Sequence, residues 1–201
     1  MSAPRARSSR ARSSLRAAVT VEVMSWAGPG AANLVATGLL AVGAAVAETD
    51  PGRARACLRE SRELSTALGY QSTIDPVWAA GIAFLTGDRA TAFELGRQAI
   101  RGLQRAGDRL RMAIVFYIIA GAFTTTRPEA AAIILGAAEP YVAESPKSAQ
   151  LISLIVTQAL GEEPARELRA RGADMGWDQA IAYTLTQATQ ALNELESETQ
   201  P

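Results

Sequence analysis

The amino-acid sequence predicts an all-α fold, an α-solenoid built from antiparallel helical hairpins. Three observations indicate it: a repeat of 38 residues, turn residues at the same place in successive repeats, and small and bulky apolar residues at fixed repeat positions. A single hairpin cannot bury its apolar faces alone, so such hairpins are stable only when they stack on one another.

The repeat aligns four segments without gaps. In its first helix, large apolar residues recur at some repeat positions and small residues recur at another. The aligned sets are Leu39, Val77 and Val115; Leu40, Trp78, Phe116 and Leu154; Val42, Ala80, Ile118 and Val156; and Ala45, Ala83, Gly121 and Ala159. In the second helix the sets are Ala54, Ala92 and Ala130, then Cys57, Leu95 and Ile133. Small residues let two helices approach closely, and bulky ones fill the space between neighbouring hairpins.

Punctuation residues mark where each hairpin turns. Asp50 and Asp88 suit the N-cap of a second helix, and Pro51 suits its first turn. Gly69 and Gly107 each follow 19 residues after the aspartate, where a C-terminal cap is expected. We predict turns near residues 49 to 52, 86 to 89, 124 to 128 and 161 to 165, with no strand in 31 to 195.

The two ends of the repeat region are irregular. Residues 13 to 26 occupy the place of a second helix whose first helix is missing, so we expect a bare apolar end that either self-associates through residues 13 to 40 or leaves the N-terminal helix loosely packed. A last amphipathic helix is predicted to cap the stack, with Ile181, Leu185, Ala188, Leu192 and Leu195 on one face. The expected organisation is a disordered basic tail (1–12), one helical-repeat domain (13–195) and a frayed acidic tail (196–201).

Composition places the chain among cytoplasmic globular proteins. Hydrophobic residues make up 48% of the sequence, and a single cysteine, Cys57, fits a reducing compartment. Another interpretation is a signal peptide that ends at Ala45-Val46-Ala47, but the repeat needs the same apolar stretch for its first helix. No apolar run is long enough to span a bilayer.

The side-chain inventory predicts neither an enzyme nor a cofactor or metal site. The sequence has no histidine, the commonest general base and metal ligand. Glu60 and Glu63 lie beside Arg59 and Arg62, which is typical of a solvated helix face. Cys57 shares its repeat position with leucine and isoleucine, so we expect a buried apolar residue and not a nucleophile.

Five side chains are candidates for a surface that binds a partner or ligand. Arg97, Arg101 and Arg105 recur every four residues and form a stripe that could hold an anionic group. Tyr117 is the aromatic residue expected to be exposed on a first helix. Trp78 is the other aromatic candidate, although its repeat position favours core packing.

Several segments together resemble a known class of helical repeats. These are "DPGRARACLRESRELSTALG", "GDRATAFELGRQAIRGLQRAGD", "AAIILGAAE" and "ALGEEPARELRARGADMGWDQAIAYTL". They resemble the tetratricopeptide-like region of LuxR-type and related STAND ATPase regulators, over roughly residues 31 to 195. The resemblance implies a sensor or docking segment. The P-loop motif G-x-x-x-x-G-K-[ST] is absent from the sequence, and no helix-turn-helix segment follows the closing helix. We therefore expect neither ATPase activity nor sequence-specific DNA binding.

Three hypotheses for function follow from the sequence. The first is a non-catalytic helical-repeat module that binds a protein partner or a small ligand without a cofactor. The second is a remnant of a broken regulator gene, and the third is an enzyme of an unrecognised kind. The basic residues of the first 16 positions are compatible with nucleic acid, with an acidic lipid surface or with no function.

Overall fold

The protein is helical throughout the part of the chain that its computed structural model describes, residues 34–67, 69, 75–141 and 147–199, apart from short turns. Residues 34 to 46 are helical and form α1. The following elements are α2 (Pro51–Ala67), α3 (Asp75–Leu85), α4 (Arg89–Ala106), α5 (Arg109–Phe123), α6 (Pro128–Ala138), the short 3-10 helix η1 (Glu139–Tyr141), α7 (Lys147–Leu160), α8 (Glu162–Ala173) and α9 (Trp177–Thr199). These described residues include no strand, as the sequence predicts.

All four predicted turns contain a break between helices, although the fourth is confined to Gly161 because residues 162 to 165 are already helical. Helices end and begin again at residues 46 and 51, 85 and 89, 123 and 128, and 160 and 162. Each turn therefore joins a first helix (α1, α3, α5 or α7) to a second helix (α2, α4, α6 or α8).

The predicted cap residues explain why these helices begin and end where they do. Asp50 accepts a hydrogen bond from the N–H of Arg53 at 2.9 Å, and Asp88 accepts one from the N–H of Thr91 at 3.1 Å. Gly107 has a φ of 69°, a left-handed conformation that costs glycine little, and it caps α4. The aspartate and glycine signals are thus local determinants of the hairpin boundaries.

Asp108 is a further N-cap, at the start of α5. The N–H of Arg111 donates to its Oδ1 at 3.0 Å and lowers the pKa of this carboxyl below its usual 3.8. The folded state therefore favours the charged form, and the resulting stabilisation is present above pH 3.8 and is lost as the pH falls through the lowered pKa. We expect Asp108→Ala to cost about 1 kcal/mol at neutral pH and clearly less at about pH 3, measured by urea unfolding.

Asp174 provides the matched control for this prediction, because it is an exposed aspartate at the C-terminal end of α8. Asp174→Ala should change the free energy of unfolding by less than about 0.5 kcal/mol. A loss in Asp108→Ala that is the same at both pH values would show that the carboxylate does not act as the cap.

The first helices α3, α5 and α7 contact one another in chain order. α5 contacts both α3 and α7, and each of these three helices also packs on the second helix of its own hairpin. The first and second helices together enclose an apolar core in which Phe93, Phe116 and Phe123 are fully buried. Phe93 of α4 and Phe123 of α5 bring their ring centroids to 4.6 Å, which joins the second and third hairpins.

The second helices α6 and α8 approach each other most closely. Gly136 of α6 lies against the backbone of Arg169, and Gly172 of α8 lies against the backbone of Ile133. A Cβ added at Gly136 would overlap the Arg169 carbonyl oxygen and lie 2.8 Å from its Cα. Glycine at both positions therefore permits direct backbone contact between the third and fourth hairpins.

The last helix does not take the predicted place at the end of the stack. α9 packs mainly on α4 and also contacts α5 and α6, so it folds back along the second and third hairpins. Arg127, at the start of α6, donates to Gln187 at 3.0 Å and Gln190 at 3.1 Å and pairs with Glu194. α9 takes this position because its apolar face packs on these helices and because the partly buried Arg127 binds its polar side chains.

The predicted tails fall largely outside the description. The basic tail 1–12, the segment 13–26 and most of the predicted self-association region 13–40 lie outside the described residues. At the other end, α9 continues to Thr199, past residue 195 where the sequence places the end of the domain. Among the helices of the described residues, none has the length and apolar character needed to cross a membrane.

Candidate binding surfaces

An exposed apolar surface follows three consecutive first helices, and we call it the first-helix face. It consists of Trp78 on α3, Leu110 and Ile114 on α5, and Leu151, Leu154 and Ile155 on α7. Leu151 is 58% exposed and Leu154 is 54% exposed, although both are large aliphatic residues in regular helices. Helices usually turn such side chains toward the core. Their exposure means that no other element of the described residues covers this face.

Contacts between the first helices bring these side chains to neighbouring levels. Gly81 of α3 lies against Ile118 of α5, and Phe84 of α3 lies against Gly121 of α5. Both pairs are separated by 37 residues in the chain, so the two helices run in the same direction with a constant offset. By that offset Trp78 lies level with residue 115, next to the exposed Ile114.

The fourth hairpin continues the same face. Ile152 of α7 meets α5 at Gly121, where an added Cβ would lie 3.1 Å from the Ile152 Cδ1 atom. Ile152 itself is buried, while its neighbours Leu151 and Leu154 point to solvent. The exposed side of α7 thus extends the apolar surface beyond α5.

Of the two aromatic candidates, Trp78 is exposed and Tyr117 is buried, which is the reverse of what the sequence favours. Trp78 is 48% exposed and belongs to the first-helix face, whereas core packing was its expected environment. Tyr117 is only 4% exposed, so the prediction of an exposed Tyr117 is wrong. Phe116, at the repeat position of Trp78, is buried as expected because the Trp177 ring of α9 lies 5.6 Å from its ring.

The three arginines of the predicted stripe do not converge on one site. Arg101 and Arg105 are exposed, and Arg105 Nε donates to the Arg101 carbonyl oxygen of its own helix at 3.2 Å. Arg97 is half-buried and lines a cleft of about 820 Å³ between α4 and α9, together with Leu192 and Glu198. α9 therefore divides the stripe, because it packs against the same helix.

A cationic cleft that the sequence analysis missed lies between α2 and α4. Arg55, Arg59 and Arg62 line it, with Leu58 at its floor, and its volume is about 690 Å³. The signal was present in the sequence, since steps of four and three residues place these arginines on one side of a helix. Only Arg59 and Arg62 were noted, as partners of neighbouring glutamates on a solvated face.

The remaining polar candidates do not form a catalytic or metal-binding cluster among the described residues. Glu60 and Glu63 are exposed on α2, and Cys57 is buried, as the sequence predicts. Among the residues that the structure describes, no group of three or more acidic or cysteine side chains could hold a metal ion. Comparisons of the chain with protein-family models, with curated proteins and with solved structures found no significant match.

Proposed function

We propose that the chain is a non-catalytic helical-repeat module that binds a protein partner through the first-helix face. The observation that supports this most strongly is the exposure of six large apolar side chains on three adjacent first helices. Contiguous apolar surfaces of this kind mark interaction sites, because leaving them in water is unfavourable. Trp78 supplies the aromatic anchor that such interfaces prefer.

The proposal includes a tetratricopeptide-like stacking of the hairpins. The first helices α3, α5 and α7 contact one another in chain order, and the contacting residues of α3 and α5 are separated by 37 residues, close to the sequence repeat of 38. In repeat proteins of this architecture a row of first helices forms an extended binding surface. α9 is an addition to that plan, since it contacts helices that are not its neighbours in the chain.

The quoted segments that resemble LuxR-type and STAND regulators support a relationship to the sensor regions of those proteins. On this proposal the chain recognises a partner, and it neither hydrolyses a nucleotide nor reads DNA. The rival hypothesis of a gene remnant predicts a folded or partly folded chain without a selected partner. The remaining hypothesis is an enzyme of an unrecognised kind.

Selection of phage-displayed peptides on the full chain tests the proposal. We expect selected peptides to carry apolar anchors and to lose affinity at least about tenfold for the double variant Leu151→Ser and Leu154→Ser, because both side chains lie at the exposed apolar surface. The measurement is the dissociation constant of synthetic versions of the peptides, determined by calorimetry.

The matched control replaces two exposed apolar residues of α1, Leu34→Ser and Val42→Ser, which lie outside the first-helix face. Peptides should bind this variant as they bind the unmodified protein. Failure to select any peptide, or equal losses in both double variants, would favour the gene-remnant hypothesis over a binding module.

A further inference from the structure

The second helices form a layer that already accommodates an additional helix. α9 lies against α4 and α6, and it is acidic: its charged residues are Asp178, Glu194, Glu196 and Glu198. Arg127 holds it through two glutamines and one glutamate. The groove beside α4 on this side thus binds an acidic amphipathic helix of the same chain.

The cleft between α2 and α4 adjoins this groove at Thr91, which lines both, and it also combines apolar and charged side chains. It extends along α2 from Arg55 to Ala67, a rise of roughly 18 Å at 1.5 Å per residue. Leu58, which is buried, forms an apolar floor, and the stems of the arginines add apolar walls. The elongated shape and apolar floor suit a helix better than a compact ligand.

The charges of this cleft favour an acidic occupant. Arg55 donates to the Thr86 carbonyl oxygen at 3.2 Å, and Arg62 lies 4.0 Å from Glu94. Arg59 is exposed on α2 and pairs with no carboxylate of the described residues. Of the two carboxylates that line the cleft, Asp88 is engaged as the N-cap of α4, and Glu63 is exposed on α2.

The spacing of the arginines distinguishes between classes of anionic partner. Arg55 and Arg62 are separated by two helical turns, roughly 10 Å, so the three arginines match a row of anionic groups better than a single phosphate or carboxylate. Carboxylates on successive turns of a helix repeat at the same interval. A nucleic-acid backbone fits less well, because the cleft has an apolar floor, includes two carboxylates and has no aromatic side chain in its lining.

We propose that the cleft between α2 and α4 is a docking site for an acidic amphipathic helix of a partner protein. This second surface is separate from the first-helix face and does not depend on the function proposed for it. The apolar side of the partner helix packs on Leu58, and its carboxylates pair with Arg55, Arg59 and Arg62.

The test uses the full chain and a fluorescent designed peptide of about 15 residues, long enough to follow the cleft. The peptide is helical, with leucine on one face and glutamate on its flanks, and a twin peptide carries lysine in place of glutamate. We expect saturable binding of the glutamate peptide, measured by fluorescence anisotropy, that weakens as salt is added, and little binding of the lysine twin.

Charge reversal of two arginines locates the binding. The double variant Arg59→Glu and Arg62→Glu should weaken the glutamate peptide at least about tenfold. Its matched control, Arg101→Glu and Arg105→Glu, makes the same change of charge at exposed positions of α4 outside the cleft and should weaken it less than about threefold. Far-UV circular dichroism checks that both variants remain helical.

Several results would overturn the inference. Absence of saturable binding, or equal weakening by the two charge reversals, would show that the cleft does not select the peptide. Loss of binding in the Leu151→Ser, Leu154→Ser variant with retention in Arg59→Glu, Arg62→Glu would assign the peptide to the first-helix face. If duplex DNA bound more tightly than the peptide and its binding depended on Arg59 and Arg62, the occupant of the cleft would be nucleic acid and not an acidic helix.

Discussion

Replacing Gly136 or Gly172 by alanine is expected to lower the free energy of unfolding by about 3 kcal/mol. At each position the new methyl group would overlap a backbone carbonyl oxygen, that of Arg169 or of Ile133. A backbone atom inside a helix yields only if the whole helix moves, so α6 and α8 must separate. Such a loss is a large fraction of the 5 to 15 kcal/mol that ordinarily separates folded from unfolded domains. Urea unfolding followed by circular dichroism measures it.

Gly38 provides the matched control, since it lies in α1 and an added Cβ would meet no other element of the described residues within 4 Å. Alanine is the better helix former by up to about 1 kcal/mol, so Gly38→Ala should stabilise the protein slightly. The sign of the effect therefore separates close packing from helix propensity. A stabilising Gly136→Ala would mean that α6 and α8 lie further apart than the structure places them.

The hairpin boundaries were predictable because their causes are local. Asp50 and Asp88 cap the helices that follow them, and Gly107 adopts the left-handed conformation that ends α4. These interactions involve residues three or four positions apart, so a single sequence contains all of their determinants. The confirmed turns and the all-helical fold follow from them.

The environments of equivalent repeat positions were less predictable. Leu40 and Phe116 are buried at the position where Trp78 and Leu154 are exposed. Phe116 is covered by Trp177, which lies outside the repeat, and the contacts between α3 and α5 follow an offset of 37 residues instead of 38. A shift of one residue turns a side chain through about 100°, enough to exchange an exposed position for a buried one. Tyr117 was placed wrongly for another reason, because α5 is surrounded by α3, α4, α6, α7 and α9 and has few exposed positions.

The position of α9 depends on contacts between distant parts of the chain. Its amphipathic pattern predicts a helix that covers an apolar surface, but several surfaces of the fold could receive it. Arg127, some 60 residues earlier, meets Gln187 and Gln190. Such a contact has no local signal, and the division of the arginine stripe on α4 follows from it.

The cationic cleft was missed for a different reason. Arg55, Arg59 and Arg62 could be aligned on one side of α2 from their spacing alone, but α2 carries charged residues on most of its surface. Whether a stripe of arginines lines a binding site can be judged only when the position of the neighbouring helix is known. α4 supplies Asp88 and Thr91 to the opposite wall and so converts a solvated face into a cleft.

The second large effect is expected at the junction of α5 and α9. Phe116→Ala should lower the free energy of unfolding by about 4 kcal/mol, because it removes a fully buried ring and leaves a cavity. The Phe116 ring lies 5.6 Å from the Trp177 ring, which in turn lies 4.2 Å from the ring of Tyr141. The cavity therefore opens beneath the first turn of α9. Urea unfolding gives the stability, and hydrogen exchange of the α9 amides reports the attachment of the helix.

Ile114→Ala is the matched control, since Ile114 lies on the same helix but is partly exposed, and its loss should cost less than about 1 kcal/mol. If the aromatic cluster holds α9, the amides after Trp177 should exchange faster in Phe116→Ala while those near Glu194, next to Arg127, change less. Uniform acceleration along α9 would instead show that the helix attaches and detaches as one unit. Unchanged exchange at both ends would mean that the Phe116 ring stabilises the core without securing α9.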